Sequence, residues 1–248
     1  MLTIHRPAKL GGTTAHADAL VKMLGEIDPT LIPDTVREIA ERSVVWDQQR
    51  PKLGRDAGDA LDAWRTAAAQ TGLPPDTHAL AQALALESIA GKLADNYRRA
   101  WDRVVGGIVP ALAAHGDTIT LGLRDHAETA WAGFTDALDE LGAAQSEKDL
   151  LDVAGAAESY RSAGSAATRW KACRTARAQL DKIVGYQSRV PEWALLYARP
   201  EAVANQGTLP NDPIPHWREL RRRAEAGRWW IPTQSEVMAT WAEQPLSV

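Results

Sequence analysis

The groups able to carry acid–base, nucleophilic or metal chemistry in this chain of 248 residues are six histidines, one cysteine and 32 carboxylates. Their spacing decides what they can do. The densest constellation is Asp125, His126 and Glu128. A carboxylate beside an imidazole has the makings of a general acid and base, but neighbours on a helix point in different directions, so the trio reads as a solvated face. Asp56, Asp59 and Asp62 recur at three-residue spacing beside Arg55, along one side of a helix, where acids near an N-terminus are favourable without any cation. Cys173 falls on the same stripe as Trp170 and Leu180 and reads as a buried thiol, not a nucleophile.

Metal and nucleotide motifs do not emerge. His5, His16, His78, His115, His126 and His216 are scattered, and no two of them flank a Glu at the four-residue spacing of a helical zinc site. A di-iron carboxylate bundle needs Glu-x-x-His on two helices, a pattern that occurs nowhere in the chain. Gly11-Gly12 and Gly106-Gly107 lack both the spacing and the preceding strand of a phosphate-binding loop. No catalytic, cofactor-binding or metal-ligating residue is therefore assigned, and the chain reads as a non-enzyme.

The strongest signal is one of binding. Trp217, Arg218, Glu219, Leu220, Arg221, Arg222 and Arg223 run together and are followed by Arg228, Trp229 and Trp230. Interleaved Arg and Trp can stack bases and pair phosphates. At helical spacing, however, Trp217, Leu220 and Ala224 form one apolar stripe, while Arg218, Arg222 and Glu225 turn away from it. That is the pattern of a docking helix with a solvated back. Interface energy concentrates in Trp and Arg, so Trp217, Arg218, Arg221, Arg222, Trp229, Trp230 and Trp241 are the expected partner contacts, with protein favoured over nucleic acid.

The elements that must position these groups are helices. Ala fills 44 positions, whereas β-branched and aromatic strand formers are sparse, so the expected fold is all-α. A short helix through about Gly25 ends at Asp28-Pro29, and a second carries Val36, Ile39, Ala40, Ser43 and Trp46 or Val45 at three- and four-residue spacing. A third, short helix carries Leu61, Trp64 and Ala68. From Asp76 a longer register places Leu86, Ile89, Leu93, Tyr97, Ala100, Val104 and Ile108 on one apolar face, with a break expected at Gly106-Gly107 and Pro110. Ala127, Trp131, Phe134, Leu138 and Leu141 form the next seam. Ser146 and Asp149 resemble a capping box that starts a helix through Tyr160, and residues 162–165 are expected to separate it from a final helix with Trp170, Cys173, Leu180 and Ile183 inward. The long helices predict an elongated antiparallel bundle over residues 75–189, preceded by a short-helix region, 1–74.

Residues 190–248 differ from the rest. They hold seven of the fourteen prolines and five of the ten tryptophans, which predicts an irregular arm of short helices that must dock on something, in cis or in trans. Charge is also segregated. Ten acids against two bases lie between Asp117 and Glu158, and seven bases against Asp181 between Arg161 and Arg189. Attraction between neighbouring helices is the simplest use of that pattern, and docking of a second copy or a polyanion is its functional alternative.

Composition bounds the class. A single cysteine excludes an intramolecular disulfide framework, and a net charge of -4 argues against a surface built wholly to neutralise phosphates. The N-terminal ten residues lack the apolar core of a signal peptide, and the longest nearly uncharged apolar run, 106–114, is about half the length of a membrane span. A cytoplasmic protein, or one incorporated into a phage particle, is expected. Arg outnumbers Lys by 21 to 7, a skew of high-GC coding. The function expected from these signals is a structural or assembly protein without cofactor, such as a head or neck component of a phage or prophage virion. A helical nucleic-acid-binding or regulatory module, and an enzyme with its site among kinked helices, are the alternatives.

Overall fold

The structure, a computed structural model, describes residues 12–48, 53–71, 76–144, 146–151, 155–184, 197–199, 202–203 and 207–242. Among them the fold is all-α, with nine α-helices and no strand. Contacts divide the described residues into two units, 12–36 with 109–242 and 37–108. The expected boundaries at residues 74 and 189 lie outside the described residues, as does the start of the C-terminal arm.

The larger unit is built on three helices. Helix α1 (Gly12–Ile27) stops where Asp28, extended at φ -160, accepts from the Thr30 amide at 2.8 Å and caps a 3-10 turn begun by Pro29. Helix α2 (Asp34–Gln48) follows, and its first residues belong to this unit. Helix α5 (Ile108–Ala114) carries Pro110 in its first turn, where the missing amide is not needed, so the break falls on Gly107 rather than on the proline. Helix α6 (Gly116–Glu140) and helix α7 (Ala156–Val184) are the longest pair of the unit and pack side by side, with α1 laid on α7. The expected seam of α6 is buried at Ala127, Phe134, Leu138 and Leu141, and α7 buries Ala163, Ala167, Trp170, Cys173, Leu180 and Ile183.

Two boundaries differ from expectation. The Ser146 signal is used, since the Ser146 amide donates to the Asp149 carboxylate at 2.9 Å, but it opens only a 3-10 turn, Glu147–Leu151. The α-helix begins afresh at Ala156, after Gly155 takes φ +80, a left-handed conformation that glycine alone adopts without strain. Conversely, residues 162–165 do not interrupt α7. Gly164 lies under the Trp217 ring, where a Cβ would sit 3.4 Å from its outer carbons, so the glycine serves a close packing contact within a continuous helix.

The smaller unit contains the rest of α2, helix α3 (Leu53–Thr71) and helix α4 (Thr77–Gly106), with α3 and α4 packed as a hairpin. Asp76 caps α4 by accepting from the His78 amide at 2.8 Å. Trp46 is the inward residue at the end of α2. Its ring centroid lies 4.9 Å from that of Tyr97, whose hydroxyl donates to the Trp46 carbonyl, and Val45 faces outward. The expected face of α4 is only partly buried. Of the expected register Ile108 is buried and Leu86, Tyr97, Ala100 and Val104 are partly covered, but Ile89 is 50% exposed and Leu93 40%; Ala83, Trp101 and Val105, which are buried, lie on a neighbouring stripe of the helix.

Candidate functional site

The residues expected to meet a partner are gathered by helix α8 (Pro213–Ala226), the turn after it, and helix α9 (Gln234–Ala242). Pro213 and Pro215 lie in the first turn of α8, where they preset the backbone, and Leu220 and Ala224 form its buried stripe as the spacing required. The structure docks this arm in cis. Trp217 stacks on Tyr160 of α7 with centroids 5.0 Å apart. Trp229 enters a cluster with Trp131 of α6 and Trp170 of α7, at 5.6 and 5.8 Å, while Trp131 and Trp170 are themselves 4.9 Å apart. A short antiparallel bridge holds the segment from behind, with the Ala198 and Arg199 amides donating to the Arg228 and Gly227 carbonyls at 2.9 and 2.8 Å.

The arginines of the run are engaged within the chain. Arg218 donates to the Gly142 carbonyl and Arg221 to Asp139, both at 2.5 Å. Arg222 and Arg223 converge on Glu219 at 2.7 and 2.8 Å and hold its carboxyl down at about 2. Trp230 is half-buried beside Arg124 and Glu128, and the side chain of Trp241 lies outside the described residues. Of the segregated charges, the arm meets one acid of α6, Asp139, and one of its bases, Arg124. Among the described residues no ion pair joins α6 to α7, whereas Asp139 pairs with Arg221 and Arg124 with Glu236.

Among the described residues, a dense polar cluster closes the arm over the bundle. Thr233 and Glu236 form a reciprocal cap at the start of α9, with the Thr233 amide donating to the Glu236 carboxylate at 2.7 Å and the Glu236 amide to the Thr233 hydroxyl at 3.3 Å. Arg124 of α6 donates to the Ile231 carbonyl at 2.8 and 2.9 Å and pairs with Glu236. Burial opposes ionisation of Glu236, but hydrogen bonds from Arg124 and Thr233 outweigh it and hold the carboxyl below its usual range. Asp117, at the start of α6, accepts from the Gln234 amide at 2.8 Å and the Ser235 hydroxyl at 3.1 Å. From α7, Arg177 donates to the Pro232 carbonyl at 2.9 Å and pairs with Asp181, both side chains almost wholly buried. Burial raises the Asp181 carboxyl in spite of Arg177, and its second oxygen has no partner among the described residues. The spacing of Thr233 and Glu236 was the one signal that could have located this latch in the sequence.

Residues singled out for chemistry do not converge. His126 lies 3.3 Å from Asp28 of the 3-10 cap, on the wall of an open groove of about 910 Å³ between α1, α6 and α7. Asp125 and Glu128 are not its partners there. Cys173 borders the same groove, but burial pushes its thiol up to about 11, so it is protonated at neutral pH. Ser162 and Ser165 line the groove with no described histidine or carboxylate bonded to them. Asp62 pairs with Arg65 at 2.9 Å, Asp59 is exposed, and the Asp56 side chain lies outside the described residues. Among the described residues no group of three His, Cys, Asp or Glu could hold a metal ion. No single described helix is long and apolar enough to cross a membrane.

Comparison with models of protein families, with curated proteins and with solved structures finds no match for this chain.

Proposed function

We propose that the protein is a non-enzymatic structural or assembly protein whose activity is to contact other protein subunits. The observation that carries this reading is the apolar stripe of α4: Ile89 and Leu93, at consecutive turns of the helix, keep half and two-fifths of their surface uncovered. Isolated exposed apolar residues are ordinary, but a helical stripe that the sequence patterns for burial and the fold leaves open is the mark of a surface awaiting a partner. Two of the arm's aromatic anchors, Trp217 and Trp229, are already packed on their own bundle, which moves the favoured contact surface from the arm to the hairpin of α3 and α4. Within this class, the Arg-rich, Ala-rich composition supports a component of a phage or prophage particle, in its head or neck.

The test is the mass of the native complex that holds the full chain, read by gradient sedimentation of host lysate and identification of the co-sedimenting chains. A complex several times the 26.9 kDa of one chain is expected. A chain sedimenting alone at that mass overturns the reading.

A further inference from the structure

The partner of the open stripe can be identified from the hairpin itself. Leu61, 7% exposed, and Ala83, 2% exposed, mark the line along which α3 and α4 meet, and Trp64 ties the turn by donating to the Asp76 carbonyl at 3.2 Å. At about 100° per residue, Ala60 and Ala67 lie about 100–120° round α3 from Leu61 and Ala63 about 160° in the same sense, while Leu86, Ile89 and Leu93 lie about 60–120° round α4 from Ala83, also in one sense. The helices are antiparallel, so the sense of rotation reverses together with the chain direction. Both triplets consequently fall on the same side of the hairpin.

That side is two helices wide and apolar. Ala60, Ala63, Ile89 and Leu93 are exposed, and Ala67 and Leu86 are only partly covered. Alanines on one helix facing large aliphatic side chains on the other make a surface with a low ridge and a high ridge. Its rims are of opposite sign. Beyond the alanines of α3 lies exposed Asp59, and beyond the aliphatic row of α4 lies exposed Lys92. Asp59 is 12 residues before the end of α3 and Lys92 is 15 after the start of α4, so their heights differ by about one helical turn.

We infer that this face is a two-fold self-association surface, and that its occupant is the same face of a second copy of this chain. A two-fold axis running along the helices lays α4 of one copy over α3 of its partner. Each high ridge then meets a low one, every neighbouring pair is antiparallel, and the acidic rim of each copy meets the basic rim of the other. The product is a four-helix bundle with an isologous interface, the arrangement that buries an apolar two-helix face with the fewest new requirements. A second copy related by the two-fold axis satisfies both rims at once, whereas a lone acidic or basic partner helix would satisfy one rim and oppose the other.

The inference rests on the assembly reading above and names its first step. Sedimentation equilibrium of the purified full chain over a range of concentrations tests it, with a dimer of twice the 26.9 kDa chain mass expected. The double substitution Ile89→Asp with Leu93→Asp is expected to raise the dimer dissociation constant at least about thirtyfold while far-UV circular dichroism is unchanged. Asp59→Lys alone and Lys92→Glu alone are each expected to weaken the dimer a few-fold at low salt, and the two together to return it towards wild type. A monomer at every concentration, a dimer indifferent to the Ile89 and Leu93 substitutions, or a charge swap no better than its single members would each overturn the inference. A monomer that still sediments in a large native complex overturns this surface and leaves the assembly reading standing.

Discussion

Replacement of Trp229 by Ala asks whether the arm is part of the folded core. The ring touches Trp131 and Trp170 at centroid distances of 5.6 and 5.8 Å, the second edge-on. A Trp buries about 150–250 Å² when fully covered, and this one is half-buried, so at about 25 cal/mol per Å² its removal costs about 2–3 kcal/mol in transfer alone. Loss of the aromatic geometry adds about 0.5–1.5 kcal/mol. For a chain of this length each kcal/mol lowers the melting temperature by about 2–4 °C, so the combined loss of about 2.5–4.5 kcal/mol gives a drop of about 5–18 °C. Urea unfolding followed by near-ultraviolet circular dichroism reads the effect, because the signal comes from the Trp cluster itself. A cycle with Trp170→Ala adds a second reading, with a coupling of about 0.5–1.5 kcal/mol expected for rings in contact. A loss below about 0.5 kcal/mol together with no coupling would refute the docking of the arm in cis, since surface substitutions fall in that range.

Other expectations follow from individual contacts. Cys173, raised to about 11 by burial, should resist a thiol reagent at pH 8 in the folded protein and react at once in urea; fast reaction without denaturant would refute its burial. Asp181→Ala alone should cost about 3–5 kcal/mol by stranding the buried Arg177, whereas Arg177→Met with Asp181→Leu should cost less, about the 1–3 kcal/mol of the Pro232 carbonyl left without its donor, a contrast read by urea unfolding. Glu219, held down to about 2 by Arg222 and then Arg223, has a carboxyl depressed relative to its unfolded value near 4.5. Its support of α8 is present above that value and is lost as pH falls towards 2, so Glu219→Gln should flatten the acid limb of a stability–pH curve between about pH 4.5 and 2. An unchanged acid limb in that variant would show that the pairs do not hold α8.

Most of the fold is legible because its signals are local. Asp28-Pro29, Asp76 and Gly107 mark helix boundaries through backbone rules that need no tertiary partner, and the seams of α6 and α7 follow from apolar spacing. Glycine is legible only in part. Gly155 and Gly164 look alike in the sequence, yet one breaks a helix at φ +80 and the other sits inside one because Trp217, distant in sequence, leans on it. Which of the two roles a glycine takes depends on contacts that no local pattern contains.

The aromatic and apolar surfaces were legible as a type, and what covers each of them was not. Trp217 and Trp229 carry the composition of interface anchors, but the same aromatic surface serves a bundle that lacks cover of its own, and Trp131 and Trp170 supply the other half of that contact from helices far away in the chain. The stripe of Leu86, Ile89 and Leu93 presented the converse case, since apolar spacing specifies that a face is to be buried without specifying which chain buries it. Cover for one apolar surface and the lack of cover on another are two sides of the same accounting. Where the arm closes the larger unit with Trp229, Arg177 and Arg124, the smaller unit has no equivalent strap among its described residues, and the face most in need of a partner is the one whose rim charges match a second copy of itself.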